Sequence, residues 1–259
     1  MHFQNTKSDL PIPKTRYALL DELRGFLVLC MVIYHWLLSL YDIFGWEIAG
    51  NLFDFFTNVE AIFAGMFVLL SGVMCGFSRS NIRRGAICFA LALAVTIGTV
   101  IGSKWFGRIE IYFGILHLLG FSMLFCGVFD FALKKINKWV GLIFNAVLFF
   151  VLYGLPPHQT DLIGIKALIP SAWHNVPWLF PFGITTDSFY SADYFPIIPW
   201  LFLFVCGYYL YRFNIIQKNE KLFAPKRIKP LGFLGRHALI IYIVHQPLIY
   251  ILTLGAYYG

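Results

Sequence analysis

Seven long apolar runs, parted by short charged or proline-bearing connectors, constrain this chain more than any other feature. They fall at roughly 18–40, 53–77, 85–103, 111–133, 139–155, 194–214 and 235–257. Each is near the ~20 residues that a membrane-spanning helix needs. The third is diluted by glycines, and Leu155-Pro156-Pro157 cuts the fifth short. The runs are continuous, whereas a transmembrane β-barrel shows ten-residue alternation. Hydrophobic residues make up 59% of the chain and charged residues 13%, with a mean hydropathy of +0.72, which excludes an ordinary soluble domain. The predicted fold is all-α, a polytopic membrane helix bundle of about seven transmembrane helices. A polar segment, 1–16, precedes a single membrane domain over 17–259. No signal-peptide pattern leads into the first run, which reads as an uncleaved signal anchor.

Charge sets the orientation. With the N-terminus cytoplasmic, all of the 20 lysines and arginines except Lys104, Arg108 and Lys166 fall at the inner ends of the runs. That satisfies the positive-inside rule and supports seven spans, with the C-terminus outside. The net charge of +7 is thereby explained as topology, and a nucleic-acid partner is not expected. All five cysteines lie in apolar runs and read as small buried hydrophobes, neither a disulfide framework nor a metal site. The longest connector, 156–193, is proline-rich and outside. It reads as a short re-entrant or interfacial lid, or as an ordered linker.

Charged side chains at the bilayer centre cost roughly 2.5–3.5 kcal/mol each on insertion scales. They are kept mainly where they face a bundle interior, a ligand or water. Arg24 and His35 bracket ten uncharged residues. On a helix they share one face, about 16 Å apart along the axis. His35, Glu60, His117 and Asp193 lie on four different runs, all in the outer third of the bilayer. His245 and Gln246 sit near mid-membrane, and Arg24, Arg236 and His237 near the inner face.

Each residue alone has a plain structural reading. A lone histidine in an apolar run is more often a packed, hydrogen-bonded residue than a catalyst. Asp193 fits an N-cap of the helix that follows it. Arg24 and Arg236 fit snorkelling side chains, Glu60 fits a structural partner for a histidine, and Gly72/Gly76 and Gly98/Gly102 fit helix-packing contacts. Convergence of several helices at compatible depths favours function.

Two poles result. An inner basic mouth of Arg24, Arg236 and His237 suits a phosphate-rich cytoplasmic ligand. An outer cluster suits proton chemistry, with His35 as base or transient carrier, Glu60 or Asp193 supporting it, and His117 orienting the acceptor. Acyl transfer from coenzyme A fits both. A proton-coupled transporter is an alternative, although no internal repeat is visible; a non-catalytic subunit of an envelope-modifying complex is another.

Local blocks carry a resemblance. Leu20-Asp21-Glu22-Leu23-Arg24-Gly25 resembles the opening of membrane acyltransferases, and the Arg24–His35 spacing is similar to a motif of the acyltransferase 3 family. Phe67-Val-Leu-Leu-Ser-Gly72, Tyr112-Phe-Gly-Ile-Leu-His-Leu-Leu-Gly120, Asp193-Tyr-Phe-Pro-Ile-Ile-Pro-Trp200 and Leu234-Gly-Arg-His-Ala-Leu-Ile-Ile-Tyr-Ile-Val-His-Gln-Pro247 more closely resemble the heparan-α-glucosaminide N-acetyltransferase-like catalytic domain. The likeness runs from about Arg16 to Leu254. It implies a transmembrane acetyltransferase with cytoplasmic acetyl-CoA as donor substrate and no metal. The acceptor it implies is an amino sugar or another cell-envelope glycan across the membrane.

Arg24, His117, Asp193, Arg236, His237, His245 and Gln246 occupy motif positions, and the resemblance assigns His245 and Gln246 to the donor with the inner-mouth residues. The lysosomal member's proposed acetyl-carrying histidine lies in the loop after the first helix, and the stretch Tyr41–Asn51 here has none. Either His35 takes over or transfer is direct. The short form resembles bacterial members, implying a multi-pass protein of the bacterial cytoplasmic membrane. Family likeness also implies a homodimer in contact with membrane lipid.

Overall fold

The computed structural model describes residues 17–106, 109–157, 159–161 and 163–258. The polar segment 1–16, with Lys7, Lys14 and Arg16, lies outside the described residues, as does Arg108. The chain folds as α1 (Ala18–Phe44), α2 (Glu47–Gly76), α3 (Asn81–Phe106), α4 (Ile115–Val128), α5 (Asp130–Lys135) and α6 (Lys138–Leu152). Three short 3-10 turns between Ile165 and Phe182 follow, and then α7 (Ile197–Tyr211), α8 (Ile215–Lys218), α9 (Glu220–Phe223), α10 (Lys229–Arg236) and α11 (Ala238–Tyr258). This is an all-α polytopic bundle; the β pairing among the described residues is one isolated bridge, Phe113 to Tyr194.

Four helices are long and apolar enough to cross a membrane, over Ala18–Tyr41, Val59–Gly76, Asn81–Trp105 and Ala238–Gly255. The other three predicted spans form shorter helices. α4 has 14 residues, and α6 and α7 have 15 each, about 21–23 Å at 1.5 Å per residue against a ~30 Å hydrocarbon core. Each shortening has a local cause. Before α4 the chain is extended and pairs with a distant strand-like stretch, through Ala192 N–H to Glu110 O at 2.8 Å and Phe195 N–H to Phe113 O at 2.9 Å. α6 stops ahead of Pro156-Pro157. At the start of α7, Ile198 is held at φ −100°, ψ 125° before Pro199, because proline disfavours the helical region for its predecessor.

The stretch 41–51 is not an open loop. α1 runs to Phe44 and closes on Gly45, whose φ of 63° is the left-handed conformation that glycine adopts freely. Only Gly45 and Trp46 then separate α1 from α2.

Glycines bring the helices together. Cβ atoms on Gly72 and Gly207 would overlap the backbone of the facing helix, so α2 and α7 pack main chain to main chain. Gly25 and Gly235 do the same for α1 and α10, and Gly85 and Gly120 for α3 and α4. Small residues are what allow membrane helices to approach this closely. Gly76 abuts Tyr211, in line with a packing role, whereas a Cβ on Gly98 would meet nothing within 4 Å among the described residues. The core between α2, α4, α6 and α7 is built on fully buried Trp200, Phe204, Tyr209 and Leu118. Arg212 ends α5, donating to the carbonyls of Leu133, Lys134 and Ile136 at 2.9–3.0 Å.

Candidate active site

One face of α1 presents Arg24, Leu27, Val28, Met31, Tyr34 and His35 to a single cavity of about 890 Å³. The helical spacing of Arg24 and His35 thus places both on one wall. α2 forms a second wall with Glu60, α3 and α4 a third, and Asp193, Tyr194 and Tyr242 close one end.

At the basic end, Arg24 carries 16% side-chain exposure and stands 3.7 Å from Asp21, one helical turn earlier. Gly25 then allows α10 to approach, which brings Arg236 to the same cavity. Glu22 locks the arrangement. It is 5% exposed, and its Oε1 accepts the N–H groups of Arg227 at 2.8 Å and Ile228 at 3.0 Å, at the start of α10. A carboxylate at a helix N-terminus satisfies orphan donors and suits the helix dipole. Arg84 of α3 faces the cavity too, so guanidinium groups from α1, α3 and α10 line one space. A smaller cavity of about 190 Å³, with Lys226 and Lys229, shares Arg236. His237 and Gln246 are not among the cavity-lining residues. His237 Nδ1 instead donates to Phe233 O at 2.9 Å, and Gln246 is exposed.

At the other end, His35 Nδ1 lies 3.0 Å from Met31 O and 3.3 Å from Nε2 of His245. The two rings meet edge-on with centroids 4.9 Å apart. Among the described residues, the hydrogen-bond partners of the His35 ring are Met31 and His245, rather than a carboxylate. His245, placed near mid-membrane by the sequence, packs directly against His35. Asp193 Oδ2 accepts from the Tyr242 hydroxyl and from Ile115 N–H at 3.1 Å. It caps α4, not the helix that follows it, and a Cβ on Gly114 would collide with its carboxylate. Glu60 of α2 and Tyr34 of α1 line the same cavity.

His117 sits apart. It is 2% exposed and is not among the lining residues. Its Nδ1 accepts from Gly114 N–H at 3.2 Å, and its Nε2 lies 3.2 Å from Thr96 Oγ1, which itself donates to Ile111 O at 2.7 Å. Both ring nitrogens are engaged, and the ring stacks on Phe113. The residue fastens the start of α4 to α3.

Sequence reasoning missed Tyr242, Arg84 and Glu22. Tyr242 lies three residues before His245 on the same helix, which is the available signal for it. Arg84 is hidden among the basic residues of an inner loop, and Glu22 gains meaning only from a partner 205 residues away. Among the described residues no three His, Cys, Asp or Glu side chains gather as a metal-holding group.

Compared with known proteins, the chain matches the family model described as heparan-alpha-glucosaminide N-acetyltransferase, catalytic, over residues 16–247. No curated protein and no solved structure matches it.

Proposed function

The chain belongs to the heparan-α-glucosaminide N-acetyltransferase catalytic family, a family of acetyltransferases, and on that premise we propose that it moves an acetyl group from cytoplasmic acetyl-CoA to an extracytoplasmic glycan or amino-sugar acceptor. One observation carries the reading: a single cavity is lined by arginines at one end and by His35 at the other. In this proposal the end at Arg24 is cytoplasmic and the end at His35 faces the envelope of a bacterial cell.

Arg24 and Arg236 hold the phosphates of the donor, as charge-assisted hydrogen bonds to phosphate oxygens are among the stronger polar contacts. Arg84 joins them from α3. The pantetheine arm lies along the apolar wall of α1, over the roughly 16 Å that eleven helical residues span. His35 takes the proton of the attacking amine or hydroxyl, with the Glu60 carboxylate on the facing helix attracting the acceptor. Gln159, Thr160 and Ser191 at the same end offer a sugar polar contacts. Asp193 and His117 hold that end in shape through α4. His237 and Gln246, at motif positions but outside the lining, act through α10 and α11 rather than by touching the donor. Direct transfer is the simpler course, since Tyr41–Asn51 offers no carrier histidine and is closed into two helix ends.

Purified protein in lipid nanodiscs, given labelled acetyl-CoA and a set of amino sugars, tests the proposal. The expected result is an acetylated sugar, with slow acetyl-CoA hydrolysis when the acceptor is left out. Proton-driven uptake of a solute without any acetyl-CoA binding would instead make the protein a transporter.

A further inference from the structure

His245 has no evident task in that scheme, being 5% exposed and absent from the cavity lining. Its hydrogen bonds give it one. Nδ1 of His245 lies 2.6 Å from Tyr242 O. A carbonyl only accepts, so this nitrogen carries the hydrogen and Nε2 keeps a lone pair. The same argument applies to His35, whose Nδ1 faces Met31 O at 3.0 Å and the His245 lone pair at 3.3 Å. Nδ1 of His35 is therefore the protonated nitrogen, shared between those two acceptors. Nε2 of His35 keeps its lone pair and has no partner among the described residues, on a side chain that lines the cavity.

Beyond His245 stands a carboxylate. Tyr242 gives its carbonyl to His245 and its hydroxyl to Asp193, so one residue joins the imidazole to the carboxylate. Glu60 lines the same cavity as Asp193.

We propose that His245 is a positioning and relay residue for His35, fixing its tautomer and taking a proton from it during acyl transfer; this rests on the acyltransferase reading above. As the acceptor oxygen or nitrogen attacks the thioester carbon, its proton passes to Nε2 of His35. The Nδ1–H bond of His35 breaks, and that hydrogen joins Nε2 of His245. The positive charge then rests on His245, which Tyr242 links to Asp193, and away from the new bond. The C–S bond breaks with its electron pair on sulfur. The two hydrogens then retrace their paths, from His245 to Nδ1 of His35 and from Nε2 of His35 to the thiolate. Acetylated acceptor and free coenzyme A are formed, and both histidines return to their starting state.

Two measurements test this. ¹⁵N-histidine NMR of the whole protein in bilayers reads the tautomer directly. Wild type is expected to show His35 protonated at Nδ1, and His245→Gln to show a mixture of tautomers. In steady-state kinetics, His245→Gln and His245→Ala are expected to lower kcat about 10- to 100-fold, with the acetyl-CoA KM unchanged within about twofold. Glutamine keeps a polar group of similar reach, so it serves where alanine fails to fold. A raised donor KM with normal kcat would make His245 a donor-binding residue and overturn the inference. So would unchanged kinetics, or His35 protonated at Nε2 in wild type. A wild-type protein that transfers no acyl group would sink the acyltransferase reading instead, while the NMR would still report on the histidine pair.

Discussion

Gly25 and Gly235 face each other across the α1–α10 contact, and each is the sequence neighbour of a cavity arginine, Arg24 or Arg236. A Cβ on Gly25 would overlap Leu231 O, and one on Gly235 would overlap Asp21 O. The spacing of the two guanidinium groups is thus set by how closely two backbones approach. Gly25→Ala and Gly235→Ala should each push the helices apart, at a cost of about 1–3 kcal/mol of overpacking. Acetyl-CoA affinity should fall about tenfold or more, together with the thermal midpoint. Gly98→Ala, which adds its methyl to open space, is the control and should be neutral or slightly stabilising. Calorimetric binding and thermal unfolding in detergent decide; normal donor affinity in both α1–α10 variants would refute the geometric coupling.

Glu22 should matter more than an acidic residue beside a basic mouth ordinarily would. Its carboxylate takes two main-chain N–H groups at the start of α10, and leaving such buried donors unmade costs about 1–3 kcal/mol. Glu22→Ala should lower the thermal midpoint and expose the 224–229 stretch to proteolysis. Glu22→Gln, which keeps one acceptor oxygen, should lose less. If both variants resist limited proteolysis as wild type does, the anchor is not structural.

The three arginines should behave as binding residues. Arg24→Gln, Arg84→Gln and Arg236→Gln are expected to raise the acetyl-CoA KM about tenfold each with little change in kcat, the pattern of an interaction made equally in ground and transition states. Free coenzyme A should protect Cys30 and Cys88, both cavity-lining, from alkylation in wild type and less well in the variants. An Arg84→Gln enzyme with wild-type KM would remove α3 from the donor site.

Much of this was readable before any coordinates. An arginine and a histidine eleven residues apart in an apolar run define a helical face by periodicity alone, and both do line one cavity. Counting turns grouped Glu60 and Asp193 with His35, and all three line that cavity. Contacts between distant helices did not. His35 meets His245 across 210 residues, and no periodicity carries that information. Helix lengths misled for a related reason. Hydropathy reads 111–133 and 194–214 as uninterrupted, yet pairing of 110–113 with 192–195 and the prolines at 196 and 199 hold the chain out of helix there. Asp193 likewise looked like a cap for its own helix, while tertiary packing turns it onto the end of α4.

His35 and His117 should separate cleanly, although both are buried or half-buried histidines on membrane helices. His35 lines the cavity with Nε2 free of any partner among the described residues, so His35→Ala should lower kcat by about 10²–10⁴ in the folded fraction, the usual worth of general acid–base catalysis. His117 spends both nitrogens on Gly114 and Thr96 and lies outside the lining. His117→Ala leaves Gly114 N–H and Thr96 Oγ1 short of a partner, at about 1–3 kcal/mol for the buried group. It should therefore lower the thermal midpoint, while the fraction that remains folded keeps a kcat within about tenfold of wild type. Activity normalised to the folded fraction, measured beside the unfolding curve, makes the comparison. A His117→Ala protein that is stable but inactive would move His117 into the chemistry, and a fully active His35→Ala protein would remove His35 from it.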